Sequence, residues 1–215
     1  MTNLPVERFP ALGALEYVLH GFTLRAAGLD VRSDRETALQ RLDSYHESVQ
    51  KAFAPRQARL AEQVHGNSVA IVSIGSPARS TGVDAIVTRD PDVFLGIYVA
   101  DCCAVFLVDS KQRAIGLAHS GRKGTSSNIV GETVCCMSEE FGTDPDDVIA
   151  QLSPCIRPPH YEVDFAAEIV EQLVQRGIRR VFDSGENTAS DLNKFYSYRM
   201  EKGRTGRMLA LLALK

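Results

Sequence analysis

Residues 93–124 read VFLGIYVADCCAVFLVDSKQRAIGLAHSGRKG. They form three apolar runs, Val93 to Cys102, Ala104 to Asp109 and Ala114 to His119, the first two divided at Cys103 and the last two by the polar turn Ser110 to Arg113. Short runs rich in Val, Ile, Leu and Phe between turn residues read as buried strands. Upstream, Ser68 to Ile74 and Ala85 to Thr88 have the same character, so this stretch is the centre of a sheet. Further out, Leu15 to Arg25 reads as an early strand with a bulge expected near Gly21. From Asp34 to Phe53, Ala38, Leu39, Leu42, Tyr45, Val49 and Phe53 recur at three and four, which predicts an amphipathic helix capped by Ser33 or Asp34. Two more helices are predicted over Ser126 to Phe141 and Phe165 to Arg176, closed by Gly142 and Gly177. Met208 to Leu214 reads as a final buried strand or short helix, the strand being preferred. Strands crowd together and then give way to helices, which predicts an α+β fold with mixed strand directions in a single domain over residues 1–215.

Composition excludes several function classes. The 215 residues are 44% apolar and 24% charged with a formal charge of −3. That gives no basic field for nucleic-acid binding. No run approaches the roughly 20 apolar residues of a membrane span. Met1 to Phe9 lacks the charged start and apolar run of a signal peptide. The cysteines number five, with Cys102 beside Cys103 and Cys135 beside Cys136. This is a poor disulfide framework and fits reduced thiols in a cytoplasmic protein.

Three residues at strand ends stand out for chemistry: His65 in QVHG, Cys102 after Asp101, and His119 before Ser120-Gly121. Imidazole and thiolate are zinc ligands, and three protein ligands with one open position is a catalytic pattern. The intervals of 37 and 17 residues contain no tight Cys-x-x-Cys pair. The spacing therefore leaves open a buried cysteine with two hydrogen-bonded histidines. After His119, the turn through Gly121, Arg122, Lys123 and Gly124 into a helix reads equally as a phosphate cradle or a capped helix start. Tyr196, Tyr198 and Arg199 in FYSYR and Arg207 in TGR offer aromatic surface for a base and guanidinium groups for phosphate, or solvated loop charge.

These segments, together with SPCI and YEV near Tyr161, make the chain similar to the YfiH-like family. That family was earlier regarded as multicopper polyphenol oxidases or laccases and is now viewed as zinc-dependent purine nucleoside phosphorylases. The resemblance implies a layered α/β/β/α domain related in architecture to bacterial toxin deamidases, with zinc held by His65, Cys102 and His119. It implies phosphorolysis of adenosine, inosine, guanosine and methylthioadenosine to free base and ribose 1-phosphate, and adenosine deamination. Within that reading, Lys123 with the amides near Gly124 is expected to hold phosphate, with Arg25 or Arg207 as a second arm and Arg199 also on the substrate. Asp101 and Glu62 are candidates for proton transfer, with the Asp101 side chain expected to face away from Cys102.

The sequence departs from the family pattern at Ser120 and at Arg122, where the family has alanine and tryptophan, at Ala26 to Asp30, and at Ser153. Gly177 to Lys194 is short, so the pocket wall there is expected to be open or completed by another subunit. Three other readings stand beside the phosphorylase: a Cys102 thiolate activated by His119 acting on amides, a copper-dependent phenol oxidase, and a binding protein without catalysis.

Overall fold

The computed structural model describes residues 6–215; Met1 to Pro5, and with them most of the stretch read for a signal peptide, lie outside the described residues. The strands are β1 (Val6–Glu7), β2 (Val18–Thr23), β3 (Gln57–Ala61), β4 (Val69–Ile71), β5 (Arg79–Ser80) and β6 (Ala85–Thr88). They continue with β7 (Val93–Val99), β8 (Cys103–Asp109), β9 (Ile115–Ser120), β10 (Val148–Leu152), β11 (Arg180–Asp183) and β12 (Met208–Leu214). One six-stranded sheet runs in the order β1, β2, β12, β7, β3, β5; the second, also six-stranded, runs β11, β10, β8, β9, β6, β4. The helices are α1 (Pro10–Gly13), α2 (Arg35–Gln50), α3 (Arg122–Ser126), α4 (Ile129–Phe141) and α5 (Phe165–Gln175).

The layering follows from side chains alternating across each strand. On β8, Ala104, Phe106 and Val108 join the core shared with the first sheet. Cys103, Val105 and Leu107 instead pack with Val130 and Val134 of α4 and Ile169 of α5. All seven β8 residues are buried, as a strand sandwiched on both faces requires. On the far side of the first sheet, Phe53 meets Phe94 at 5.5 Å and His46 of α2 meets Tyr98 at 5.4 Å between ring centroids. The result is helix, sheet, sheet, helices, with both sheets of mixed direction.

Topology gathers the chemistry at one end of this sandwich. β3 runs parallel to both β5 and β7. Each of these three strands then passes the chain to the second sheet, and the three crossovers carry His65, Asp84 and Cys102. β9 is antiparallel to β6 and β8, so its last residues, His119 and Ser120, lie opposite the starts of β8 at Ala104 and Cys103. β12 is antiparallel to β7 and begins beside Val99, which brings Arg207 to the same end.

Sequence and structure differ in four places. Gly21 makes no bulge, because Phe22, Gly21 and His20 pair in unbroken register with Ala210, Leu211 and Leu212. The helix expected from Ser126 is two helices, broken at Asn128, which has left-handed backbone (φ 59°). Val93 to Cys102 is not one strand: β7 stops at Val99, and Asp101 adopts φ 80° to turn the chain into the second sheet. β1, β3, β5, β10, β11 and the short α1 were not foreseen; Gln57–Ala61 is only partly apolar, β11 is largely exposed, and β1 and β5 are two residues each. The strand expectation for Met208–Leu214 and the Asp34 cap, which accepts from the Thr37 amide at 3.0 Å, match the fold. All five cysteines are free, and among the described residues no helix is long and apolar enough to cross a membrane.

Candidate metal centre

His65, Cys102 and His119 converge: one ligand atom from each lies within 4.8 Å of the others, and they are the one such group of metal-binding side chains among the described residues. The imidazoles meet edge to face with ring centroids 4.8 Å apart. His119 is buried at 3% exposure while His65 is exposed, so the group opens on one side. Gly121 permits this closeness. Its φ of −103° suits any residue, but a Cβ there would lie 2.5 Å from the Cys102 sulfur.

Asp84, which sequence reasoning missed, stands behind the histidines. Fully buried, it accepts the His119 Nδ1 proton at 2.8 Å, which leaves Nε2 free to face the site. It also accepts from the amides of Val64 (3.1 Å), His65 (2.9 Å) and Gly66 (2.7 Å). Burial pushes its carboxyl up, but hydrogen bonds from His119 and these amides outweigh that and hold it below the ordinary value. The available signal was an acid directly before the apolar strand AIVT. Gln63 pins the same loop to β7, donating to the Tyr98 carbonyl at 2.5 Å and accepting from its amide at 2.9 Å.

Without metal the sulfur and the imidazoles perturb one another. Burial raises the Cys102 thiol, yet His119 and His65 outweigh it and bring it down to about 6. Burial lowers His119, yet Cys102 and Asp84 outweigh it and raise it to about 9. The thiolate form of Cys102 is therefore favoured at neutral pH. In metal-free protein, the rate of Cys102 alkylation by iodoacetamide should rise through pH of about 6; a rise only near the ordinary thiol value would contradict this pairing.

The group forms part of the wall of a cavity of about 640 Å³. Lys123, Arg199 and Arg207, all read from the sequence as substrate contacts, line it, as do Tyr198 and the unforeseen Arg35. Arg207 is tethered to the carbonyls of Thr205 and Gly206, both at 2.9 Å. Burial lowers its pKa, and the nearby Arg35 adds to this. Arg199 stacks on Tyr161 at 4.7 Å and pairs with Glu162 at 2.8 Å, and Arg122 reaches the same Glu162 at 3.4 Å. The arginine that replaces the family's tryptophan is thus part of a charged rim.

Other expected site residues lie elsewhere. Arg25 is outside the cavity lining: it pairs with Glu201 at 2.6 Å and stacks on Tyr196 at 4.4 Å. Tyr196 is fully buried and its hydroxyl accepts from the Ala26 amide, so it offers no surface to a base. Gly124 sits behind the lining, where a Cβ would be 3.3 Å from the Gly66 carbonyl. Glu62 caps the Gly82 amide at 2.6 Å and does not line the cavity. Asp101 lines it, but its oxygens accept from Thr188 Oγ1 (2.7 Å), Ser197 Oγ (3.1 Å) and the Arg199 amide (2.7 Å). Burial nonetheless raises its pKa. So engaged, Asp101 fixes the Cys102 turn against the Arg199 segment and is poorly placed to shuttle protons.

The family profile described as multi-copper polyphenol oxidoreductase laccase matches residues 25–169 and 163–215. A protein named purine nucleoside phosphorylase from Deinococcus radiodurans is 35% identical over 248 residues, covering 99% of this chain and 94% of the relative. The chain belongs to the YfiH-like family. Another relative, purine nucleoside phosphorylase YfiH of Escherichia coli, is 27% identical and covers 80% of the YfiH-like chain and 82% of its own. The fold agrees with the crystal structure of YlmD from Geobacillus stearothermophilus, with a TM-score of 0.85 at 23% identity over 100% of this chain and 98% of that one.

Proposed function

We propose that this chain is a zinc-dependent purine nucleoside phosphorylase that also deaminates adenosine. The observation that carries this reading is the meeting of His65, Cys102 and His119 in the wall of a cavity lined by Lys123, Arg199 and Arg207. The family relatives named purine nucleoside phosphorylase support it. The donor set fits zinc: two imidazoles, one already oriented through its Nδ1, and a sulfur disposed to be thiolate. Copper fits less well, because a multinuclear copper centre needs more imidazoles than these. His20 accepts from the Phe9 amide in the core, His160 contacts Asn187, and His46 is buried beside Tyr98.

Zinc held by His65, Cys102 and His119 would supply a Lewis acid, able to lower the pKa of a bound water to about 7. The protein groups supply the rest. Tyr161 and Tyr198 give aromatic surface to a purine, while Arg207 and Lys123 hold phosphate beside the sugar and balance its charge. Holding phosphate and nucleoside together makes the displacement effectively unimolecular. Asp84 keeps the His119 imidazole fixed, and Glu162 bridges Arg122 and Arg199, two residues of the cavity wall.

The test is incubation of the purified protein with inosine and with adenosine, with and without phosphate, and chromatographic separation of products. Phosphate-dependent release of hypoxanthine from inosine supports the reading; no release at high enzyme concentration counts against it. Arg207→Ala is expected to raise KM for phosphate by about 10-fold or more, the loss of one charge-assisted contact. An unchanged phosphate KM would remove Arg207 from the phosphate site.

A second reading, a Cys102 nucleophile paired with His119 and acting on amides, draws on the depressed thiol and the raised imidazole. Activity that survives chelation and is abolished by alkylation would favour it. Activity lost on chelation and regained with zinc supports the metal.

A further inference from the structure

We infer that Asp84 is the positioning residue on which both histidines of the metal group depend, a role that rests on the zinc reading above. A carboxylate accepts through two oxygens with about four lone-pair sites, and here four donors fill them. Oδ1 takes the His119 Nδ1 proton at 2.8 Å and the His65 amide at 2.9 Å; Oδ2 takes the Gly66 amide at 2.7 Å and the Val64 amide at 3.1 Å. The Asp84 main chain adds to this, because its carbonyl accepts the His119 amide at 2.8 Å. His119 is therefore gripped at backbone and ring by one residue.

The grip on His65 works through the backbone. Gln63 and His65 have φ of 69° and 64°, a left-handed conformation that side chains other than glycine rarely adopt. Two such residues within one turn persist only where surrounding bonds over-determine them. The three successive amides of this turn point at one carboxylate, an anion-binding nest with the anion supplied by the protein itself. Remove the anion and three successive amides of the turn that presents His65 lose their acceptor, leaving the turn held at Gln63 by its bonds to Tyr98 and Val83. Asp84 is itself tied to the second sheet, its amide donating to the Ser68 carbonyl at 3.0 Å. One buried side chain thus aligns two ligands that are distant in sequence.

The deciding experiment compares wild type with Asp84→Asn, which keeps the size and replaces one acceptor oxygen with a donor. Zinc affinity, measured by competition with a chelating dye, is expected to fall about 10-fold to 100-fold, the usual effect of removing a partner behind a metal-binding histidine. The His119 Nδ1 proton resonance of metal-free protein is expected to move upfield as its charged acceptor is lost. A merely structural Asp84 would lower thermal stability and leave both readouts in place. Zinc affinity within twofold of wild type, or an unmoved His119 resonance, overturns the inference. If Asp84→Asn does not fold, Asp84→Glu replaces it, keeping the charge and displacing it by one methylene, and zinc affinity alone decides, a value within twofold of wild type overturning the inference. Because the resonance is read without metal, a wild-type protein that binds no zinc would defeat the phosphorylase reading and still leave the Asp84 role decided by that signal.

Discussion

Cys102→Ser is expected to empty the metal site and to lower kcat/KM for inosine phosphorolysis by a factor on the order of 100 to 1,000 or more. Serine is nearly isosteric, so the crossover between the sheets keeps its shape, and the Asp101 bonds to Thr188, Ser197 and Arg199 stay in place. What is lost is the anionic sulfur. A serine hydroxyl does not ionise near neutral pH and is a poor zinc ligand, whereas the Cys102 thiol is drawn down to about 6 by the two imidazoles. Zinc content, expected at about one ion per wild-type chain for a mononuclear site of this type, should fall towards zero on gel filtration against a weak chelator. A variant that keeps both its zinc and its activity would show that the sulfur is not a ligand.

Gly121→Ala should do comparable damage by adding a single methyl group. The added Cβ would lie 2.5 Å from the Cys102 sulfur and 3.8 Å from the His65 ring. Real Cβ atoms do not approach that closely, so either the sulfur or the start of α3 must move. The sulfur cannot give way without leaving the two imidazoles. Such overpacking costs about 1–3 kcal/mol, and here it falls on the metal group. Zinc affinity is expected to drop about 10-fold or more while far-UV circular dichroism stays native. Wild-type affinity in this variant would mean that the group tolerates a displacement its geometry does not predict.

The parts of the fold legible in the sequence were those with one strong signal. β6, β8, β9 and β12 are short, wholly buried runs that are apolar except at their ends, and α2 carries both its period and its Asp34 cap. Of the unforeseen strands β3 and β11 lacked that signal, whereas β10 (VIAQL, fully buried) carried it and was passed over. β11 shows exposed Phe182 and Asp183, and β3 mixes Gln57 and Arg59 with its apolar residues. At the site, His65, Cys102 and His119 were candidates because imidazole and thiolate are metal ligands, but their intervals of 37 and 17 residues left the bland buried reading open and the resemblance singled them out. Asp84 was not, since a lone aspartate before a strand is most often a turn residue and its meaning appears only when three amides close on it. Arg25 misled for the opposite reason: an arginine in a family motif invited a substrate role, and its charge is spent on Glu201.

The two sheets of this domain are joined by apolar contact alone over most of their facing area, a kind of adhesion that resists separation and allows small sliding. At the end where β3 and β7 leave the first sheet, an ion held by His65, Cys102 and His119 would act as a rivet, since two of these residues lie on crossovers and the third belongs to a strand of the second sheet. Metal supply would then govern the rigidity of that end of the sandwich as well as its chemistry.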